Sequence, residues 1–188
     1  MWRVILESLE KWSRTAVVSV VSTSLIVMSM ALPSTVEAAE FGRLGVHFQV
    51  YGEPHEEDNP LYINVVPLTY EHPLAKHMTL KVGTIASLRI SDGVSLGNVG
   101  AKAGLPFYLS AIEESRMRGF FVGPLVQASR NFYTEEIVVS SAIDLGYSFY
   151  IGQRLSMSLG GEVGVSAFFL NGETALRPHF GPGIYLYF

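Results

Sequence analysis

The strongest constraint on the fold is an alternation of apolar with small or polar residues, of period two, along most of the chain beyond residue 42. Successive side chains of a β-strand point to opposite faces, so this pattern predicts strands with one apolar face. In residues 77–90, one face carries six apolar residues in seven and the other carries one in seven. Similar runs cover residues 43–51, 98–111, 137–150, 155–169 and 179–188, with mixed patterns at 61–70 and 119–129. The sequence therefore predicts eight strands.

The length of these strands and the residues on their second face indicate what surrounds them. Several predicted strands have 12 residues or more, whereas strands of globular proteins usually have about five or six. A tilted strand that crosses a bilayer needs roughly 9–11 residues. The second face is rich in glycine and serine, which suits the interior of a narrow closed barrel. Since lipid offers no hydrogen bonds, only closed sheets can span it with strands. We expect an all-β fold, an eight-stranded antiparallel up-and-down transmembrane β-barrel with its apolar faces turned to lipid.

The first 38 residues have the three-part order of a secretory signal peptide. Residues 1–14 carry three cations, residues 16–32 carry no charge, and Pro33 ends the apolar run. Val36 and Ala38 occupy the small-residue positions before a cleavage site, so we expect cleavage after Ala38. The predicted organisation is a cleavable helical signal peptide at 1–38 and the barrel at 39–188. The alternative is a membrane-anchoring helix, since the 17-residue run lies at the lower limit for a span.

Composition excludes several classes of function. The chain of 188 residues has no cysteine, which excludes a disulfide scaffold, a thiolate zinc site and a cysteine nucleophile. Its net charge of -4 argues against a nucleic-acid partner. The five histidines lack metal-ligand spacing, and the acidic segment 52–60 does not follow a calcium-loop pattern. No glycine-rich phosphate loop precedes a helix. We predict no cofactor and no bound metal.

Seven charged or histidine side chains fall on the faces predicted to point inward. They are Arg43, His47, Lys81, Arg89, Lys102, Asp144 and Glu162. Charges in a medium of low dielectric must pair, and the partners expected for Asp144 and Glu162 are the cations Lys81, Arg89 and Lys102. An eight-stranded barrel is just wide enough for side chains, so we expect this cluster to plug the lumen. The alternative is a path for ions through a narrow pore.

The connections follow from the strand boundaries. The outer loops are predicted at 52–60, 91–97, 130–136 and 170–178, and the inner turns at 71–76, 113–117 and 151–154. Aromatic residues cluster at strand ends, which is typical of interfacial girdles. They are Tyr147, Phe149, Tyr150, Phe168, Phe169, Tyr185, Tyr187 and Phe188. Because proline removes a hydrogen-bond donor from a strand, bulges or strand ends are expected at Pro67 and Pro124.

The C-terminus carries a resemblance to a known family. The chain ends in GPGIYLYF, where Phe180, Ile184, Leu186 and the final Phe188 alternate and Gly183 lies among them. This end resembles the recognition signal of outer-membrane β-barrel proteins, and the predicted mature chain resembles the small barrels of the outer-membrane protein A and X type. The resemblance implies assembly by the barrel-assembly machinery, delivery by periplasmic chaperones, and a monomer among the lipid and lipopolysaccharide of a diderm (Gram-negative) outer membrane.

Some barrels of this size are enzymes that modify lipid A, and the deacylase type resembles this chain in size. That type uses a His, a Ser and a Glu, with the His and the Ser two residues apart. No His-x-Ser occurs here, and His77-Met78-Thr79 is the nearest approach. We therefore predict no catalytic residues and a structural or surface-interaction role. The alternatives are the lipid-A-modifying enzyme, the narrow pore, and a soluble lipocalin-like barrel whose apolar faces would point inward.

Overall fold

The computed structural model describes residues 42–52, 60–64, 68–112, 116–152, 155–170 and 173–188. The predicted signal peptide, with Val36 and Ala38, lies outside the described residues, as does most of the acidic segment 52–60. The described part of the chain contains no helix that is long and apolar enough to cross a membrane.

The described residues form one antiparallel sheet of ten strands, which confirms the predicted all-β class. The strands are β1 (Arg43–Gly52), β2 (Leu61–Asn64), β3 (Leu68–Ala75), β4 (Met78–Ile90), β5 (Val94–Gly104), β6 (Phe107–Tyr108), β7 (Gly119–Asn131), β8 (Ile137–Ile151), β9 (Leu155–Leu170) and β10 (Glu173–Tyr187).

The sheet closes into a ring because β1 pairs with β10 as well as with β2 and β3. At the seam, the backbone N–H of Phe188 also donates to the carbonyl oxygen of Leu44 at 2.9 Å. The ten strands fill eight positions, since β2 and β3 both lie between β1 and β4, and β5 and β6 both lie between β4 and β7. Two of the eight predicted strands are thus each divided in two.

The two sides of the ring differ in regularity. The ladder between β8 and β9 runs without a shift from Ile137 opposite Phe169 to Ile151 opposite Leu155, and the β7–β8 and β9–β10 ladders are also continuous. On the other side, the register shifts within the β3–β4 and β4–β5 pairs. The two divided strands, β2 with β3 and β5 with β6, lie on this side as well. The C-terminal strands therefore form the regular part of the ring.

The prediction of a bulge or strand end at Pro124 is wrong. Strand β7 continues through Pro124 with an unbroken register to β8. The carbonyl oxygen of Pro124 accepts a hydrogen bond from the N–H of Leu105 at 3.0 Å. In a strand, the N–H and the C=O of one residue point to the same neighbouring strand. The N–H that proline lacks would therefore point to the gap between β5 and β6, and its absence does not interrupt the pairing of β7 with β8. Pro67 lies outside the described residues.

Several predicted connections are wrong because the strands are longer than the alternation indicates. Strand β3 continues to Ala75 through most of the predicted turn at 71–76, and β10 begins at Glu173 inside the predicted loop at 170–178. Strand β5 begins at Val94 within the predicted loop at 91–97. Backbone N–H and C=O groups that find partners extend a strand whether or not its side chains alternate.

The outer face of the ring is apolar and the interior is largely polar. Large apolar side chains are exposed on strands all around the ring, including Phe48, Tyr70, Val82, Val99, Val122, Leu145, Leu159 and Ile184. The buried positions are instead rich in charged, amide and hydroxyl side chains. One departure is Leu105, which the alternation places on the apolar outer face but which is only 2% exposed. It lies at the gap between β5 and β6, where the strand is interrupted.

Candidate functional site: the buried polar interior

All seven side chains predicted to point inward are buried in the ring. Their exposed fractions are at most 8%, and the seven are Arg43, His47, Lys81, Arg89, Lys102, Asp144 and Glu162. Their strands lie on different sides of the ring. Contacts among them therefore cross the interior rather than follow one strand.

Asp144 and Glu162 lie directly opposite each other on β8 and β9. Two adjacent carboxylates in a buried site each need a cation, and each has its own. Lys81 Nζ on β4 lies 2.5 Å from Asp144 Oδ2, and Lys102 Nζ on β5 lies 2.6 Å from Glu162 Oε1. In the ring, β4 and β8 are three positions apart, as are β5 and β9. Both ion pairs thus span the interior and connect its two sides.

Aromatic rings surround the ammonium group of Lys81. Its Nζ lies 4.1 Å from the centre of the Tyr185 ring and 4.7 Å from that of Phe121. Such cation–π contacts are stronger when they are removed from water. Tyr185 also stacks on His47, with ring centres 3.8 Å apart, and its ring centre lies 5.4 Å from Lys102 Nζ. The ring of Tyr185 therefore contacts the cations of both ion pairs.

Glu162 is the centre of the second network. Besides Lys102, its carboxylate accepts hydrogen bonds from Gln49 Nε2 at 3.0 Å and from the Tyr185 hydroxyl at 3.3 Å. His179 Nε2 lies 3.3 Å from Oε2, and His47 Nδ1 lies 2.8 Å from Lys102 Nζ. The buried charge of Glu162 is therefore satisfied from several strands at once.

A third ion pair was not predicted and joins Arg43 to Glu71. The guanidinium Nη2 lies 2.8 Å from Glu71 Oε2, and the other carboxylate oxygen accepts from Thr79 at 2.6 Å and from the Tyr108 hydroxyl at 2.9 Å. Glu71 was missed because it falls in the predicted turn at 71–76, which the structure shows as part of β3. Charge balance is the signal that could have found it, since the predicted interior has four cations and only two carboxylates.

Arg43 also anchors the segment that closes this end of the ring. Its Nη1 donates to the carbonyl oxygen of Met117 at 3.2 Å and to the Ser156 hydroxyl at 2.9 Å. The Met117 side chain is fully buried and packs with Tyr108 and Phe121, next to Ile112. Met117, just before β7, therefore lies inside this end of the ring.

Arg89 is buried at the opposite end of the ring. Its guanidinium carbon lies 3.8 Å from the centre of the Tyr133 ring. The carboxylates of Asp144 and Glu162 are paired with Lys81 and Lys102 instead. The sequence alone did not decide which two of the cations Lys81, Arg89 and Lys102 form ion pairs with these carboxylates.

Amide and hydroxyl side chains line the interior beyond Glu162. Asn64 Nδ2 donates to Gln49 Oε1 at 3.2 Å, and Asn98 Nδ2 donates to the Tyr51 hydroxyl at 3.0 Å. The side-chain oxygens of Asn64 and Asn98 are buried and have no hydrogen-bond partner within the described residues. They line a cavity with about 40 Å³ of space for the centres of water molecules. A single water needs roughly 10–15 Å³ on this measure, so the cavity has room for a few waters.

The apolar residues of the predicted assembly signal lie on the outer face of β10. Phe180, Ile184 and Phe188 are exposed, and Leu186 is half-buried. Gly183 lies on the inner face, where a Cβ atom would come within 2.6 Å of His47 Nε2. Glycine therefore leaves room for the histidine at this position. Recognition of this strand by an assembly machinery stays a prediction.

The assignment of Phe168, Tyr185 and Tyr187 to aromatic girdles is wrong. All three side chains are buried. The two tyrosines alternate with Ile184 and Leu186 on β10, so they must face the other side of the sheet. Tyr187 stacks on Tyr185, and its ring centre lies 3.9 Å from the guanidinium carbon of Arg43. Their role is to pack against the buried cations.

The geometry around His77 and Thr79 does not form a nucleophile–base pair. The Thr79 hydroxyl donates to Glu71 in the interior, whereas His77 Nδ1 lies 3.0 Å from the carbonyl oxygen of Tyr108. A search of the described residues also finds no group of three acidic or histidine side chains placed to hold a metal ion.

Comparison with models of known protein families and with curated proteins finds no match for this chain.

Proposed function

We propose that the ring is a transmembrane β-barrel of the outer membrane of a diderm bacterium, with a closed lumen and a structural or surface-interaction role. One observation carries this proposal. The outer face of a closed sheet is covered with exposed large apolar side chains, while three ion pairs are buried inside it.

The exposed apolar surface supports a lipid environment. Leu109 is 74% exposed and Phe180 is 65% exposed, and further large apolar side chains are exposed on both sides of the ring. Soluble monomers rarely expose contiguous apolar patches larger than a few hundred Å². A soluble lipocalin-like barrel would need these faces on the inside, where this chain instead has Arg43, Glu71 and Glu162.

Closure of the sheet supports the same environment. In hydrocarbon, each unpaired backbone N–H or C=O costs several kcal/mol, so a spanning sheet must have no free edge. Here β1 and β10 pair from Gly45 opposite Tyr187 to Gln49 opposite Gly183. Strands β8, β9 and β10, of 15, 16 and 15 residues, exceed the roughly 9–11 that a tilted strand needs to cross a bilayer.

The buried ion pairs support a structural role over conduction. A pore needs a continuous water-filled path, whereas Lys81–Asp144 and Lys102–Glu162 cross the interior from one side to the other. Met117 and its partners Arg43 and Ser148 occupy one mouth of the ring. The parts of the ring that can interact with other molecules are therefore its surface, namely the outer wall and the loops.

The proposal includes the predicted path to the membrane. Cleavage after Ala38 would release the chain into the periplasm, where periplasmic chaperones would deliver it. The barrel-assembly machinery would then read the C-terminal strand with Phe188 at its end. The mature protein would be a monomer among phospholipid and lipopolysaccharide.

Cell fractionation followed by gel electrophoresis with and without boiling tests the proposal. We expect the protein in the outer-membrane fraction, with a faster mobility before boiling than after it, because a closed barrel stays compact in detergent until it is heated. A matched control is an established periplasmic protein processed in the same cells. Recovery of this chain with that control, or identical mobility before and after boiling, contradicts the proposal.

A further inference from the structure

The two ends of the ring carry different exposed charges. Among the described residues, the exposed charged side chains at the end where β6 leads into β7 are Lys76, Arg116 and Arg118. At the other end, the described exposed charges are the acids Asp92, Glu135 and Glu173 and one cation, Arg130. The first end therefore presents cations at the level where a membrane-spanning ring would leave the bilayer.

Arg116 and Arg118 are held in place by the residue between them. The Met117 carbonyl oxygen accepts hydrogen bonds from Arg43 at 3.2 Å and from the Ser148 hydroxyl at 2.9 Å, and its side chain is fully buried. With Met117 fixed inward, both flanking arginines are exposed. The preceding acids Glu113 and Glu114 lie outside the described residues.

An aromatic surface adjoins these arginines. Arg116, Arg118, Tyr147 and Phe149 line one groove of about 670 Å³. On the outer wall, the ring centre of Tyr147 lies 4.8 Å from that of Phe120, in an edge-to-face arrangement, and 6.3 Å from that of Phe149. Phe120 is 61% exposed. The groove thus joins a cationic rim to an exposed aromatic wall.

We propose that this groove binds the phosphate head group of an anionic glycerophospholipid, with the acyl chains lying along Phe120 and Tyr147. The inference rests on the proposed function, since it requires the ring to span a bilayer. Guanidinium groups bind phosphate through two parallel hydrogen bonds. Aromatic rings are enriched where lipid head groups meet the hydrocarbon region. This end of the ring would then face the phospholipid leaflet.

Native mass spectrometry of the full chain in detergent micelles tests the inference, with phosphatidylglycerol or phosphatidylcholine added at equal concentration. We expect the wild-type protein to bind phosphatidylglycerol more tightly. Each arginine near an anionic surface contributes about 1 kcal/mol, or about a fivefold change in affinity. Arg118→Gln should lower phosphatidylglycerol affinity by about that factor, and Arg118→Lys, which keeps the charge but loses the paired guanidinium donors, should lower it by less.

The matched control is Arg130→Gln, which removes one exposed charge from the strand end of β7 farther from the groove. It should leave the affinity for phosphatidylglycerol unchanged. Equal binding of the two lipids by the wild type, or an equal loss in both Gln variants, overturns the inference. The same samples are run with and without boiling. A heat-dependent shift without lipid preference defeats the lipid site alone, whereas absence of the shift defeats the transmembrane proposal.

Discussion

The interior of the ring has two halves that differ in how their polar groups are partnered. The charged half, between Arg43 and Glu162, contains three ion pairs with N–O distances of 2.5–2.8 Å. The amide half, around Gln49, Asn64 and Asn98, contains amide and hydroxyl hydrogen bonds, a small cavity and one buried cation, Arg89, beside the ring of Tyr133. A buried charge without a partner costs far more than a buried amide, whose missing partner can be water. We therefore expect the charged half to dominate the stability of the ring.

The largest expected effects come from removing one partner of a buried ion pair, and Glu71→Ala is the first case. The change leaves Arg43 buried without its carboxylate and removes the acceptor of Thr79 and Tyr108. Removing one partner of a buried ion pair typically costs about 3–5 kcal/mol of the free energy of unfolding. Urea unfolding in detergent micelles measures it. Glu173→Ala, at an exposed position of β10, is the control and should change stability by less than about 0.5 kcal/mol. Equal effects would contradict the importance of the charged half.

The next prediction concerns the Lys102–Glu162 pair as a unit. Glu162→Leu alone leaves Lys102 buried and unbalanced, and Lys102→Met alone does the same to Glu162. Each single variant should lose about 3–5 kcal/mol. The double variant leaves neither charge behind, so it should be more stable than either single variant in the same urea experiment. Additive losses would mean that the pair does not act as a unit.

A smaller effect is expected where a glycine gives space to the charged half. In Gly183→Ala, the new Cβ atom would lie 2.6 Å from His47 Nε2 and 2.9 Å from the carbonyl oxygen of Phe48. Overpacking of this kind costs about 1–3 kcal/mol. Gly93→Ala is matched in chemistry, and nothing lies within 4 Å of its added atom. If both variants have the same melting temperature, His47 is not confined as described.

The smallest effect is expected in the amide half. Asn98→Ala removes one hydrogen bond, to the Tyr51 hydroxyl, and a side-chain oxygen that has no partner within the described residues. Since water can occupy the adjacent cavity, the loss should be about 1 kcal/mol. A loss as large as that of Glu71→Ala would remove the distinction between the two halves.

The strand faces could be predicted from the sequence because they depend on one local rule. Alternation alone assigned all seven charged or histidine side chains to the second face, and all seven are buried. It also gave the set of cations from which Asp144 and Glu162 take their partners, Lys81 and Lys102. Which cation meets which acid depends on the positions of four strands in the ring, and no local pattern contains that information.

The errors occurred where non-local contacts decide the structure. Glu71 was placed in a turn because the apolar alternation ends before it, yet backbone pairing with Arg43 on β1 and Lys81 on β4 extends β3 through it. Met117 was placed in a turn whose burial depends on Arg43, 74 residues away in the chain. Tyr185 and Tyr187 are a different case, since they were assigned to a girdle because they lie at a strand end, although their own alternation already placed them inside.

The central claim is that the exposed apolar face of the ring contacts lipid, and spin labelling tests it most directly. The chain has no cysteine, so single cysteines can be labelled at Ile143, an exposed outer position of β8, and at Asp92, between β4 and β5. In bilayers, the label at 143 should collide with oxygen far more than with a water-soluble nickel complex, and the label at 92 should show the reverse. Frequent nickel collisions at 143, equal to those at 92, would place the apolar face in water and contradict the account.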